Sequence, residues 1–257
     1  MKAHPTAIVH PHAQVAGGVS IGPYSLIGEN VELGEGTEVM SHVVIDGRTR
    51  IGKNNRIFPW ASIGLAPQDL KYSGEPTRLE IGDDNTLREF LTIHRGTGKN
   101  GVTRIGNHTL LMAYAHIAHD CVIGNHVIMG NAASLAGHVE VQDFAIVEPF
   151  CGIHQFCRVG QYAFLGAYSV VNKDILPYSK VSAPRPVDMY GANTIGLERH
   201  GISKEEISEL QTALKLLSRS KLNTSQALEA IAAKGFQSPH VQVLVEFIRT
   251  SERGVVK

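Results

Sequence analysis

Two histidines, an aspartate and a cysteine fall within seven residues in AHIAHDC, residues 115–121. An imidazole exchanges protons near neutral pH, a carboxylate orients it, a thiolate attacks carbonyl carbon, and all three ligate transition metals. The heptapeptide therefore suits a general base, a thiol nucleophile, a metal shell or plain core. The choice depends on where each side chain points, which the surrounding elements decide.

Those elements follow from a repeat. An aliphatic residue recurs at every sixth position from Val15 through Ile21, Ile27, Leu33, Val39, Ile45, Ile51 and Ile57 to Ile63, and resumes at Ile81, Leu87 and Ile93. It resumes again at Ile105 and runs through Leu111, Ile117, Ile123, Met129, Leu135, Val141, Val147, Ile153, Val159 and Leu165 to Val171. A second register, four residues on, favours small or β-branched side chains such as Val19, Ser25, Val31, Thr37, Ala133 and Val139. A period of six fits neither a 3.6-residue helix nor an alternating strand. Short strands joined by tight corners, one hexad per face, do satisfy it, which predicts a mainly β chain: a parallel β-helix over residues 1–187. Residues 65–80 and 95–104 interrupt the count and are expected to be loops extruded from the solenoid.

The repeat stops near Lys173, and Pro177, Pro184 and Pro186 mark the exit. Ser203 and Glu206 read as a capping box ahead of Ile207, Leu210, Leu214 and Leu217 at helical spacing. Ser238-Pro239 opens another helix carrying Val243, Leu244, Phe247 and Ile248. Residues 188–257 are thus expected to form an α-helical domain covering the solenoid end.

This frame sorts the reactive side chains. Cys121, Cys151 and Cys157 fall in the small-residue register, so their thiols are expected inside as corner fillers, and their odd number suits a reducing compartment better than a disulfide framework. The hexads of Ile63, Ile93, Ile117, Leu135 and Ile153 are every third one, hence stacked on one face, and they carry both loops together with His94, His119, His138 and His154. At the spacing of paired strands those histidines span roughly 14 Å, the length of a groove. A zinc shell gathers its ligands about 2.0 to 2.1 Å from one point, so a zinc site here would need His116 and His119 to join a ligand from a neighbouring chain.

Composition narrows the partners. The 257 residues are 43% apolar and carry 24 basic and 24 acidic side chains, a balance that argues against nucleic acid as the main partner. No apolar run approaches the roughly 18 residues of a membrane span, and MKAHPTAIVHPHA lacks the apolar segment of a signal peptide. A soluble, cytoplasmic protein is expected.

The segments QDLKYSGEPTRLEIG (68–82), LTIHRGT (91–97), LLMAYAHIAHDCVIGN (110–125), LAGHVEV (135–141) and GIHQFCRVG (152–160) resemble the UDP-N-acetylglucosamine 3-O-acyltransferase family, which opens lipid A biosynthesis in Gram-negative-type bacteria. The resemblance covers nearly the whole chain. It implies a left-handed β-helix, a homotrimer with active sites between subunits, no cofactor and no bound metal. It also implies transfer of an (R)-3-hydroxyacyl group from acyl carrier protein to the sugar 3-hydroxyl of UDP-N-acetylglucosamine. By the same resemblance His119 is the general base, Asp120 holds its ring, and Gly137 offers a backbone N–H to the oxyanion. Asp69, Lys71, His94, His116, His138, His154 and Gln155 match positions that contact the sugar nucleotide or the acyl donor.

Asn193 and Arg199 match nucleotide-binding positions, while Ile195 stands where the family pattern has glutamate. Phe164 and Ala167 match the place where the acyl chain ends. Family members that transfer long chains have glycine at the latter, so the added methyl is expected to favour a chain shorter than hydroxymyristoyl. Lys215, Arg219 and Lys221 are candidate docking groups for the acidic carrier protein. Other readings of the same edge are a sister hexapeptide N-acyltransferase and a γ-class carbonic-anhydrase-like zinc enzyme, with a non-catalytic scaffold as a third.

Overall fold

A computed structural model describes residues 1–183, 188–220 and 222–257. Each hexad contributes a short strand followed by a corner, and each strand pairs in parallel with the one a full coil later. Thus Ile117 lies beside Leu135, Ile123 beside Val141 and Met129 beside Val147. Three sheets result, of 11, 9 and 8 strands, and they form the three faces of the solenoid. The aliphatic register fills the interior, while Val19, Ser25, Thr37, Ala133 and Val139 are buried with it.

The corners turn in the left-handed region with few glycines at the turning position. The second corner residue is left-handed even where it carries a side chain, as at Tyr114 (φ 62°), Asp120 (φ 59°), His126 (φ 56°) and His138 (φ 61°). Equivalent corners stack, so their side chains form columns. Between the 11- and 9-stranded sheets the rings of Tyr24, His42, Trp60, Phe90 and Tyr114 follow one another.

The nine-stranded sheet holds the strands of Ile63, Ile93, Ile117, Leu135 and Ile153 side by side, as the count of hexads predicts. Both excursions leave from it and are tighter than expected, spanning 66–77 and 95–101. The reason is that the strands Arg78–Ile81 and Val102–Ile105 begin pairing before their aliphatic residue arrives, with Leu79 between Thr49 and Thr103.

The solenoid also continues past Lys173: Ser179–Ser182 adds a parallel strand beside Phe164 and Leu165 and then pairs antiparallel with Asp188–Ala192. Pro184, Pro186 and Lys221 lie outside the described residues. Among the described residues four helices follow, α1 (Thr194–Arg199), α2 (Lys204–Ser218), α3 (Thr224–Ala233) and α4 (Pro239–Arg249). The Ser203/Glu206 capping box and the Ser238 cap with proline in the first turn are both present. Val243 departs from expectation: it is exposed, and Val241 packs inward beside Leu244 and Phe247. Buried Asp174 fastens the tail to the last coil by accepting from the Arg158 backbone N–H (2.9 Å), Arg158 Nε (3.2 Å) and Ser251 Oγ (2.8 Å). No helix among the described residues is long and apolar enough to cross a membrane.

Candidate active site

The edge between the nine- and eight-stranded sheets brings His119, Asp120, Gly137 and His138 together on two successive coils. His119 Nδ1 lies 2.9 Å from Asp120 Oδ2, which fixes that nitrogen as the donor and leaves Nε2 free to take a proton. Asp120 is itself held on both sides: its backbone N–H donates to Thr103 Oγ1 (2.9 Å), and its Oδ2 accepts from the Thr97 N–H (3.0 Å). Both His119 and Asp120 are largely shielded, with side chains 17% and 12% exposed. A shielded, doubly anchored carboxylate orients the imidazole more firmly than an exposed one.

Gly137 makes room for that ring. A Cβ there would lie 2.7 Å from His119 Nε2 and closer still to Cε1. The Gly137 carbonyl accepts from Phe156 (3.2 Å), while its N–H donates to no protein acceptor among the described residues. His138 meets His119 edge-on at 5.2 Å and stacks on Phe156 at 4.6 Å, with its Nε2 3.9 Å from Asp120 Oδ2.

The two excursions close over this group. Thr97 of the second donates its hydroxyl to Asp69 Oδ2 of the first (3.1 Å), so Asp69, Thr97, Asp120 and His119 form one continuous chain of hydrogen bonds. The Lys71 N–H, bonded to Asp69 Oδ1 at 3.0 Å, chiefly holds that carboxylate below its ordinary range, with Thr97 and His119 adding to the effect. Lys71 itself is exposed. Arg95 braces the first loop by donating to the Gly64 carbonyl (2.9 Å) and the Tyr72 hydroxyl (2.8 Å). Thr97 and Arg95 were not singled out from sequence, although both lie in the RGT stretch that follows His94.

His94 and His116 lie beside the dyad with different roles. Burial pushes His94 down to about 4, and its ring meets His116 edge-on at 5.2 Å. Burial also lowers His116, whose Nδ1 is 2.7 Å from Thr92 Oγ1. Both rings are therefore neutral hydrogen-bonding groups at neutral pH. His154 and Gln155 sit one coil beyond His138, exposed, with His154 Nδ1 3.3 Å from Arg253.

The remaining expected residues are not in this group. Asn193 caps α1, accepting from the Gly196 N–H (3.3 Å), and donates to the Tyr162 carbonyl (3.1 Å) on the edge between the eight- and 11-stranded sheets. Arg199 is exposed at the end of the same helix. Phe164 faces outward from the 11-stranded sheet, and Ala167 turns the corner between it and the nine-stranded sheet. One chain therefore displays these positions on three different edges. All three cysteines are buried and free; burial pushes Cys121 up to about 12 and Cys151 to about 11, so none is a ready thiolate.

Among the described residues, His119, Asp120 and His138 offer three ligand atoms within 4.8 Å of one another; the expected pairing of His116 with His119 is not in this group.

Comparison with known proteins finds two family models. Residues 174–256 match the second domain of UDP-N-acetylglucosamine O-acyltransferase, and residues 103–137 match the bacterial transferase hexapeptide of six repeats. Among curated relatives, the acyl-[acyl-carrier-protein]–UDP-N-acetylglucosamine O-acyltransferase of Thermodesulfovibrio yellowstonii is 52% identical over 257 residues, covering 100% of this chain and 99% of its own. The enzyme of that name from Syntrophobacter fumaroxidans is 46% identical with full coverage of both. Among solved structures, the UDP-N-acetylglucosamine acyltransferase of Bacteroides fragilis superposes with a TM-score of 0.96 at 41% identity, covering 99% of each chain.

Proposed function

The chain belongs to the UDP-N-acetylglucosamine O-acyltransferase family, and we propose that it transfers an (R)-3-hydroxyacyl group from acyl carrier protein to the 3-hydroxyl of UDP-N-acetylglucosamine. The observation that carries the chemistry is the Asp69, Thr97, Asp120 and His119 chain, whose imidazole lies against Gly137. His119 Nε2 takes the proton of the sugar hydroxyl as its oxygen attacks the thioester carbon. Asp120 keeps the ring in the productive tautomer and stabilises the imidazolium that forms. The Gly137 N–H receives the negative charge that develops on the carbonyl oxygen. When the intermediate collapses, the C–S bond breaks and the imidazolium returns its proton to the departing thiolate. No acyl-enzyme forms, and the buried cysteines agree with that.

His94, His116, His138, His154, Gln155 and Lys71 contact the sugar nucleotide and donor along the same edge. Asn193, Arg199, Phe164 and Ala167 complete the site from neighbouring chains of a homotrimer, in which exposed Leu70 and the Tyr24 to Tyr114 column supply apolar contact surface. Lys215 and Arg219 are exposed and serve as docking groups for the carrier protein.

A mass-spectrometric assay with UDP-N-acetylglucosamine and a panel of hydroxyacyl carrier proteins tests this reading. It should yield a 3-O-acylated product, with donors shorter than hydroxymyristoyl preferred, and His119→Ala should lower turnover about 10² to 10⁴-fold in a folded protein. Product only from a 3-amino sugar would favour the N-acyltransferase. Stoichiometric zinc at the His119, Asp120 and His138 group, with activity lost to chelators, would favour a metalloenzyme.

A further inference from the structure

A second corner on the same edge also gathers two histidines and a carboxylate. The segment His10-Pro11-His12 turns the corner of the first coil, and Val9 pairs with Ile27, so Glu29 lies diagonally above His12 on the next coil. His12 Nδ1 is 3.0 Å from Glu29 Oε1, the rings of His10 and His12 meet edge-on at 5.2 Å, and all three residues offer ligand atoms within 4.8 Å of one another. Five coil steps, roughly 24 Å, separate this corner from His119, so it takes no part in acyl transfer.

We propose that His10, His12 and Glu29 form a site for a zinc-class divalent cation that ties the first coil of the solenoid to the second. Two imidazoles and one carboxylate suit zinc, nickel or cobalt and do not suit calcium or magnesium, which take oxygen ligands. A tetrahedral shell at 2.0 to 2.1 Å spaces its ligand atoms about 3.3 Å apart, so His12 and Glu29 already stand at the right separation. From the 4.8 Å limit the third ligand has to close by at most about 1.5 Å. His12 and Glu29 are exposed and His10 half-buried, so a side-chain rotation can supply that movement.

The cation would replace the proton now shared between His12 and Glu29, and its fourth position would hold water. Arg48 and Arg50 line the same groove and oppose a cation, although Arg50 pairs with Glu32 at 3.9 Å. The site is therefore modest in affinity. Its effect is mechanical: the two coils are otherwise joined here by main-chain bonds of two-residue strands.

Calorimetric titration of metal-free protein with zinc tests the assignment, carried out in a His119→Ala/His138→Ala background that removes the His119, Asp120 and His138 ligand group. One zinc per chain should remain in that background. Adding either His12→Ala or the near-isosteric Glu29→Gln should weaken it at least tenfold, and zinc should raise the Tm only where the three residues are intact. Zinc binding that ignores both substitutions, or that disappears in the His119→Ala/His138→Ala background alone, overturns the site. Binding there without a rise in Tm overturns the tie between coils.

Discussion

At the scale of single residues, the site depends on one missing methyl and one buried ring. Gly137 has an ordinary backbone conformation, so alanine is accommodated by the main chain, but its Cβ would collide with the His119 imidazole. Gly137→Ala should therefore leave Tm nearly unchanged while displacing the base by about an ångström, a shift that costs on the order of 10²-fold in turnover. Steady-state kinetics beside a thermal melt would check this, and unchanged turnover would mean the ring does not lie against that coil during reaction. His94 acts through stability. Its folded pKa of about 4 lies below that of an unfolded histidine, so the unfolded chain binds an extra proton between about pH 6.5 and pH 4 and stability falls as pH drops through that window. Denaturant midpoints measured across it should slope less steeply in His94→Gln than in the parent. The line of histidines on one edge was legible in the sequence because a six-residue period carries phase across an insertion. The Thr97 N–H on Asp120 was not, since a backbone bond from a loop has no side-chain signature.

At the scale of elements, the two excursions are tied to each other by two side-chain bonds, Thr97 to Asp69 and Arg95 to Tyr72. Thr97 supplies its backbone N–H to Asp120 and its hydroxyl to Asp69, and only the second of these depends on residue type. Thr97→Val should leave the dyad oriented while loosening the first loop, which Arg95 still holds through Tyr72, so KM for the nucleotide sugar should rise by up to about tenfold, the worth of one such bond, with kcat little changed. A fall in kcat with KM constant would show that the hydroxyl serves the base instead of the loop. The same scale explains where boundaries were misread. Strands Arg78–Ile81 and Val102–Ile105 start early because their neighbours offer four-residue ladders, a property of the stack and not of either segment. Helix α3 was overlooked although Asn223 and Gln226 form a capping box, because its alanine-rich face carries a weak apolar stripe.

At the scale of the whole molecule, the sequence names candidate site residues that the fold of one chain keeps apart. His119 and His138 stand on one edge, Asn193 against Tyr162 on a second, and Ala167 on the third, and no rearrangement of a rigid solenoid brings these edges together in one chain. In the homotrimer proposed above, one chain's edge would be set against another edge of its neighbour. This makes a subunit-mixing experiment decisive. His119→Ala chains and Arg199→Ala chains, each nearly inactive alone, would be co-refolded in equal amounts. If every site takes its base from one chain and its nucleotide contact from the next, random trimers should contain intact sites at about a quarter of the wild-type number, and activity should return to that level. If both residues serve a site within one chain, every site in the mixture carries a lesion and activity stays at the sum of the two inactive parents.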